Sequence, residues 1–348
     1  LLVGAPQALA LPGQGANRTG GLFACPLTPE LSDCWRVPID EGVGTRRGSH
    51  GGAPRRPLTR GGWQTCAHRY EWRHRVGQPL ETRDAIGRCF VLSQDLQARD
   101  ELDGGHWKFC QGRPAGHERF GLCQQGLAAA FSPDLRYILL GAPGTYNWKE
   151  IATGRSRGGV CFGRAPTPRA PPPPTPRPSH SILGFSVASG SGLTRRGGLS
   201  FVSGAPRANH TGAVLILRRH GANLLLPEAV LPGYQLTSAF GHSIALLDLN
   251  SDGWMDLVVG APYFFERHQE IGGAAYVYIN PGGRWDAATP LRLNGTRGSL
   301  FGIALSAAGD LNHDGFQDLA VGAPFDGAGK VFIFHGSALG IVVEPAQV

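Results

Sequence analysis

Two stretches of this chain carry oxygen-bearing side chains at alternate positions, a spacing suited to a hard cation. One runs Asp248-Leu249-Asn250-Ser251-Asp252-Gly253-Trp254-Met255-Asp256, the other Asp310-Leu311-Asn312-His313-Asp314-Gly315-Phe316-Gln317-Asp318. Calcium takes six to eight oxygen ligands, and oxygens at positions 1, 3 and 5 of a tight loop converge on one point. Asp248, Asn250 and Asp252 fill those positions in the first loop, and Asp310, Asn312 and Asp314 in the second. Gly253 and Gly315 stand at position 6, where the backbone must turn sharply. The carbonyls of Trp254 and Phe316 supply position 7, and Asp256 and Asp318 close the loops at position 9. The expected cofactor is Ca2+.

An EF-hand begins the same way but needs a bidentate Glu at position 12 and a helix after it. Position 12 here is Val259 or Val321, inside the apolar runs Leu257-Val258-Val259 and Leu319-Ala320-Val321. Such runs read as buried strands, so each loop lies within a β-hairpin. A metal-free Asp/Asn/Gly turn is the plain alternative. Two loops in the same frame with matching flanks argue against it. No enzyme chemistry competes: the His residues are scattered, and no nucleophile context such as Gly-x-Ser-x-Gly surrounds a Ser or Cys. Ser203-Gly204 and His242-Ser243 read as ordinary strand residues.

The elements that hold these loops repeat. Gly-Ala-Pro recurs at 4–6, 141–143, 204–206, 260–262 and 322–324, with Thr65-Cys66-Ala67-His68 in the gap. An apolar residue and a glycine precede it by about twenty residues at Phe120-Gly121, Leu183-Gly184, Phe240-Gly241 and Phe301-Gly302. A further apolar stretch follows at 20–26, 212–217, 273–279 and 329–334. Short strands with Gly/Pro punctuation and almost no helical periodicity predict an all-β chain. A period of about sixty residues predicts a propeller with four strands per blade.

This pattern is the Phe-Gly/Gly-Ala-Pro (FG-GAP) repeat, and the chain resembles the β-propeller of an integrin α chain. Residues 141–149 and 260–267, with Cys66-Ala67-His68-Arg69-Tyr70 and Phe90-Val91-Leu92-Ser93-Gln94-Asp95-Leu96, are similar to the laminin-binding subgroup. The resemblance implies a seven-bladed ring, incomplete here at both ends, since the first Phe-Gly strand is missing and residue 348 falls before a blade closes. It covers residues 1–348 with two irregular segments, 41–62 and 151–181. The first replaces an expected strand; the second contains Pro171 to Pro174 and reads as a polyproline or unstructured stretch. The two segments carry ten Arg against one acid, Glu41, so the chain's net +7 becomes −2 without them. The basic balance is therefore not a property of the propeller, and a nucleic-acid partner is not expected.

The resemblance also implies disulfides Cys25–Cys34, Cys66–Cys89 and Cys110–Cys123, each worth about 2–4 kcal/mol. No Cys-x-x-Cys or clustered His spacing supports zinc instead. Cys161 has no counterpart and is expected to be a free thiol. Asn17, Asn209 and Asn294 head N-glycosylation sequons. Together these features fit an oxidising exterior with millimolar calcium. At about 1 mM calcium and a Kd of about 0.1 mM, each filled loop would stabilise the fold by about 1.4 kcal/mol.

By resemblance the chain is the head of an adhesion receptor at the extracellular face of the cell membrane. No secretion signal and no apolar run of about twenty residues is present; the resemblance implies that both lie outside this region and that the membrane anchor is expected only in parts outside this chain. The partners implied are the integrin beta-1 chain and laminin, bound across the propeller's upper face. Phe185, Phe240 and Phe301 either ring the central channel, where a partner Arg or Lys could meet them, or pack between blades. Tyr146 and Trp148 lie on a loop that is either an interface hot spot or buried. The competing assignment is the propeller of a secreted phospholipase that cleaves glycolipid anchors, whose zinc-binding catalytic domain has no counterpart here.

Overall fold

A computed structural model describes residues 2–5, 8–9, 21–26, 28, 31–37, 39, 63–74, 78–79, 81–92, 96, 105–116, 119–135, 137–145, 151–156, 159–163, 181–220 and 224–348. Among them the regular structure is strand, interrupted by three single turns of 3-10 helix at Leu31–Asp33, Ala208–His210 and Trp285–Ala287. The strands form antiparallel groups of two to four that follow one another along the chain as blades, two of them joined through one parallel pairing into an eight-stranded sheet.

The fifth blade has all four strands, in the order Ile244–Leu247, Asp256–Glu266, Ile271–Tyr278 and Leu291–Thr296. Its second strand explains the unbroken apolar runs. Side chains alternate across a strand. Leu257, Val259 and Ala261 join the core shared with the fourth blade, while Val258 joins the core shared with the sixth. The third strand does the same, with Ala274, Tyr276 and Tyr278 on one face and Ala275 and Val277 on the other. Both faces of a blade are buried by its neighbours, so both must be apolar.

The rule extends along the chain. Leu139 packs toward the fourth blade, and Ile138 and Leu140 pack toward the second. Leu22 and Ala24 of the first blade meet Phe90 and Leu92 of the second. The sixth blade comprises Ala304–Gly309, Asp318–Ala323 and Lys330–Phe334. Residues 346–347 add to its edge through the pairing of Ile333 with Gln347. Successive blades thus pack face to face, as an FG-GAP propeller requires.

Segment 151–181 differs from its sequence reading. Ile151–Ser156 and Gly159–Gly163 form a hairpin that pairs with Ile138–Leu140 and completes the third blade. The edge of Ile138–Leu140 offers unpaired backbone groups, and the β-branched Ile151 and Val160 and the aromatic Phe162 are residue types that favour a strand there despite the Arg-rich composition. The hairpin's outer strand also touches the fourth blade in parallel, Phe162 opposite Leu224. The proline run and segment 41–62 lie outside the described residues.

Candidate metal centre

Each candidate loop spans the turn between the first two strands of a blade. Leu247 pairs with Asp256, and Gly309 with Asp318. Between these ends Ser251 and His313 hold φ of 54° and 60°, followed by Gly253 and Gly315 at 84° and 91°. The left-handed turn at position 6 is what the glycine permits.

The side-chain oxygens turn inward onto loop N–H groups. The Asp252 N–H donates to Asp248 Oδ1 at 3.2 Å and to Asn250 Oδ1 at 3.4 Å. One proton thus lies against the oxygens of positions 1 and 3. Gly253 N donates to Asp248 Oδ2 at 2.9 Å, Trp254 N to Asp252 Oδ1 at 2.8 Å, and Asn250 Nδ2 to Asp252 Oδ2 at 3.0 Å. The second loop repeats this set bond for bond. Asp314 N reaches Asp310 Oδ1 at 3.1 Å and Asn312 Oδ1 at 3.3 Å. Gly315 N reaches Asp310 Oδ2 at 2.9 Å, Phe316 N reaches Asp314 Oδ1 at 2.9 Å, and Asn312 Nδ2 reaches Asp314 Oδ2 at 2.8 Å. The Phe316 N–H and the Asn312 amide hold the Asp314 carboxyl below its usual range.

The closing carboxylates are buried. Asp256 accepts from Leu249 N at 2.9 Å and Asn280 N at 2.8 Å, and is 0 % exposed. Asp318 is equally buried, and accepts from Leu311 N at 2.7 Å and Gly336 N at 3.1 Å, with His335 Nδ1 also 3.1 Å away. Desolvation pushes the Asp256 carboxyl up to about 6, and the charges of Asp252 and Asp248 add to this, against the two N–H donors.

Among the described residues no three His, Cys, Asp or Glu side chains already close a metal cage. The donor set nevertheless fits calcium. It is all oxygen, it includes an Asn and a backbone carbonyl that a cage of acidic side chains would not count, and each oxygen retains a lone pair beyond its present bond. Asp256 is a buried carboxylate beside two others, an arrangement that a divalent cation would relieve.

A pH dependence follows. The folded-state value for Asp256 lies above the ordinary carboxylate value, so protonation favours the metal-free fold, and that contribution is lost as pH rises through about 6. Calcium needs the ionised form. The calcium-induced rise in melting temperature is therefore expected to be substantial at pH 7.4 and to shrink at pH 5. Thermal melts with calcium and with chelator at the two pH values measure this; an equal rise at both contradicts it.

The repeat motif itself has a mechanical role. Within a blade the Phe-Gly glycine donates its N–H to the Gly-Ala-Pro glycine: Gly184 to Gly204 at 3.1 Å, Gly241 to Gly260 at 3.0 Å and Gly302 to Gly322 at 3.1 Å. Its carbonyl sits on the corresponding glycine of the preceding blade. A Cβ on Gly141, Gly204 or Gly260 would lie 2.0 Å from the oxygen of Gly184, Gly241 or Gly302.

By this criterion the sequence assignment of the third blade needs correction. Gly126, not Gly121, donates to Gly141, at 2.8 Å. Phe120-Gly121 belongs to the loop closed by Cys110–Cys123. The hairpin Ala129–Phe131/Ile138–Leu140 has no calcium loop, so the glycines stand only fifteen residues apart and the usual spacing misleads. Gln125 takes the phenylalanine's place. It is fully buried, accepting from Phe109 N at 2.8 Å and donating to the Trp107 carbonyl at 3.0 Å.

The three phenylalanines separate. Phe240 and Phe301, which precede their glycines, are 0 % and 1 % exposed. Phe240 packs on Tyr276 and Tyr278, and Phe301 on Phe332 and Phe334. Both are core residues, the packing alternative of the two that the sequence left open. Phe185 follows its glycine and is half-buried, its ring 4.7 Å from that of His242. Burial holds the His242 imidazole below its usual range, against a backbone contact with Ile303.

All three expected disulfides are present, Cys25–Cys34, Cys66–Cys89 and Cys110–Cys123. Asn209 and Asn294 are exposed. Asn17, Tyr146 and Trp148 lie outside the described residues. Sequence reasoning missed Asn280, whose amide donates to the carbonyls of Gly192, Leu193 and Met255 and anchors the first loop's base. In sequence, Asn280-Pro281-Gly282-Gly283 looks like any turn.

The FG-GAP repeat family matches residues 240–279 and 301–334, the blades that carry the two loops. The whole chain aligns with integrin alpha-7 of Rattus norvegicus at 61 % identity and of Homo sapiens at 55 %, covering 32 % and 34 % of those proteins. It also aligns over its whole length with integrin alpha-6 of Homo sapiens, at 45 % identity and 36 % of that protein. The chain therefore spans about a third of the length of these relatives. A match over the whole of this chain at 45–61 % identity, with the repeat family matched in two blades, decides the assignment: the chain belongs to the integrin α-chain family.

Proposed function

We propose that this chain is the propeller of an integrin α subunit that pairs with the integrin beta-1 chain, binds laminin and uses calcium to brace its hairpins. The observation that carries this reading is the 55–61 % identity to integrin alpha-7 over the whole chain. The two bond-for-bond equivalent oxygen loops support calcium. The exposed Asn209 and Asn294 and the three disulfides fit the extracellular face of the cell membrane. No helix among the described residues is long and apolar enough to cross a membrane.

The pairing surface is the face where residues after the Phe-Gly glycines emerge. There Phe185 and His242 form an aromatic pair that a partner's cationic side chain could approach. The test is co-expression with the extracellular part of the beta-1 chain, followed by co-precipitation in about 1 mM calcium, within the range of extracellular modules, and in chelator. Calcium-dependent recovery of the pair, and its retention on laminin-coated beads, are expected. Recovery without laminin retention would overturn the ligand assignment, and no recovery would overturn the pairing.

A further inference from the structure

The two loops touch each other, at the positions that matter to a cation. Ser251, position 4 of the first loop, donates its hydroxyl to the Gly315 carbonyl at 2.6 Å. The N–H of Asp248, position 1, donates to Gln317 Oε1 at 3.2 Å. Ser337, just beyond the second loop's blade, donates its N–H to the Leu249 carbonyl at 3.1 Å. Position 7 of the second loop, the Phe316 carbonyl, lies between Gly315 and Gln317. A cation drawing in that carbonyl fixes the peptide units on either side of it. The Gly315 carbonyl that accepts from Ser251 belongs to one of these units, and the other ends at the Cα of Gln317, whose side-chain oxygen accepts from the Asp248 N–H.

We propose that the loops act as one coupled unit. Filling the sixth-blade loop raises the cation affinity of the fifth-blade loop by about fivefold or more, and Gln317 and Ser251 are the positioning residues that transmit it. The proposal rests on the calcium reading above. The physical basis is shared ordering: the first cation fixes backbone that the second would otherwise have to fix itself. Direct charge acts in the opposite sense, because a cation in one loop weakens the negative potential at the other. That effect passes through solvent around exposed loops and is screened over about 8 Å at 0.15 M salt. The coupling is reciprocal between the two loops and is not expected to extend to the fourth blade, where the fifth-blade loop makes a different contact, Met255 N to the Gly192 carbonyl at 3.2 Å, toward a turn without acidic residues.

Trp254 makes the test site-specific. It occupies position 7 of the fifth-blade loop, whereas the sixth-blade loop has Phe316. Terbium, a hard oxygen-seeking cation, luminesces when excited through a neighbouring tryptophan, so the signal lost in a Trp254→Phe control reports the fifth-blade loop. Disabling the other loop with Asn312→Ala/Asp314→Ala is expected to raise the terbium midpoint at least about fivefold. In a Ser251→Ala/Gln317→Ala background the same change is expected to move it less than about twofold, the difference being the coupling carried by the contacts. Melting curves in chelator check that each variant is folded. An equal shift in both backgrounds, or none in the parent, overturns the coupling while leaving the calcium reading intact. No terbium signal in the parent chain overturns both.

Discussion

Gly260→Ala is expected to be among the most damaging single changes in the chain. A Cβ there would lie 2.0 Å from the Gly302 carbonyl oxygen and 2.1 Å from Ser243 Oγ. The first obstacle is backbone, and it is pinned: Gly302 N donates to the Gly322 carbonyl at 3.1 Å, and Ser243 Oγ donates to the Gly302 carbonyl at 2.6 Å. The junction cannot yield without separating the fifth and sixth blades, whose shared core includes Leu247, Val258, Val277 and Phe301. Overpacking costs about 1–3 kcal/mol in general, and against pinned backbone the expected loss is at least the upper end, about 3 kcal/mol. The internal control is Gly322→Ala. That residue holds the same motif position one blade later, but its Cβ would meet only Ala304, no closer than 3.4 Å. Its effect is expected to stay within about 1 kcal/mol. Secreted yield and urea midpoints of the two variants decide the matter, and similar losses for both would show that the glycine contact is not what joins the blades.

Asp256→Ala is expected to damage the chain with or without calcium. The carboxylate is the acceptor for the N–H groups of Leu249 and Asn280, which are 0 % and 1 % exposed. Removing it orphans both donors at about 1–3 kcal/mol each. Relief of the buried charge offsets part of this above pH 6, because Asp256 titrates near there. A net loss of about 2–4 kcal/mol in chelator is the expected result. Asp252→Ala makes the useful comparison. Asp252 is exposed and accepts from Trp254 N and from the Asn250 amide, so in chelator it should lose less than about 1 kcal/mol, while also losing the calcium increment. Equal stability of the two variants in chelator would mean that Asp256 is only a ligand and not a structural acceptor.

What could be read from the sequence was what is local in it. Calcium-loop ligands fall at every second residue within nine positions, so no tertiary knowledge is needed to see them. The Gly-Ala-Pro frame is similarly visible, because a carbonyl resting on a Cα requires glycine wherever the contact recurs. The errors arose where a residue's role depends on a neighbouring blade. For Phe185, Phe240 and Phe301 the sequence left channel and core packing both open, because only the neighbouring blade shows that Phe240, which precedes its glycine, is buried and that Phe185, which follows one, is half-buried. Gln125 was hidden because a polar side chain occupies an apolar position, made tolerable by two backbone partners from residues 107 and 109. The hairpin at 151–163 was obscured by its arginines, although its backbone serves an edge that had to be paired. The contact between the loops involves Ser251 and Gln317, which nothing in their own neighbourhood distinguishes.

Both oxygen loops are proposed to hold calcium as structural braces. Calcium titration of the metal-free chain by calorimetry at pH 7.4 tests it most directly, paired with Asp248→Ala and Asp310→Ala variants. Two calcium ions per chain are expected, one fewer in either variant, with a melting temperature that rises as the sites fill. No heat of binding, or a stoichiometry unchanged by both substitutions, would contradict it.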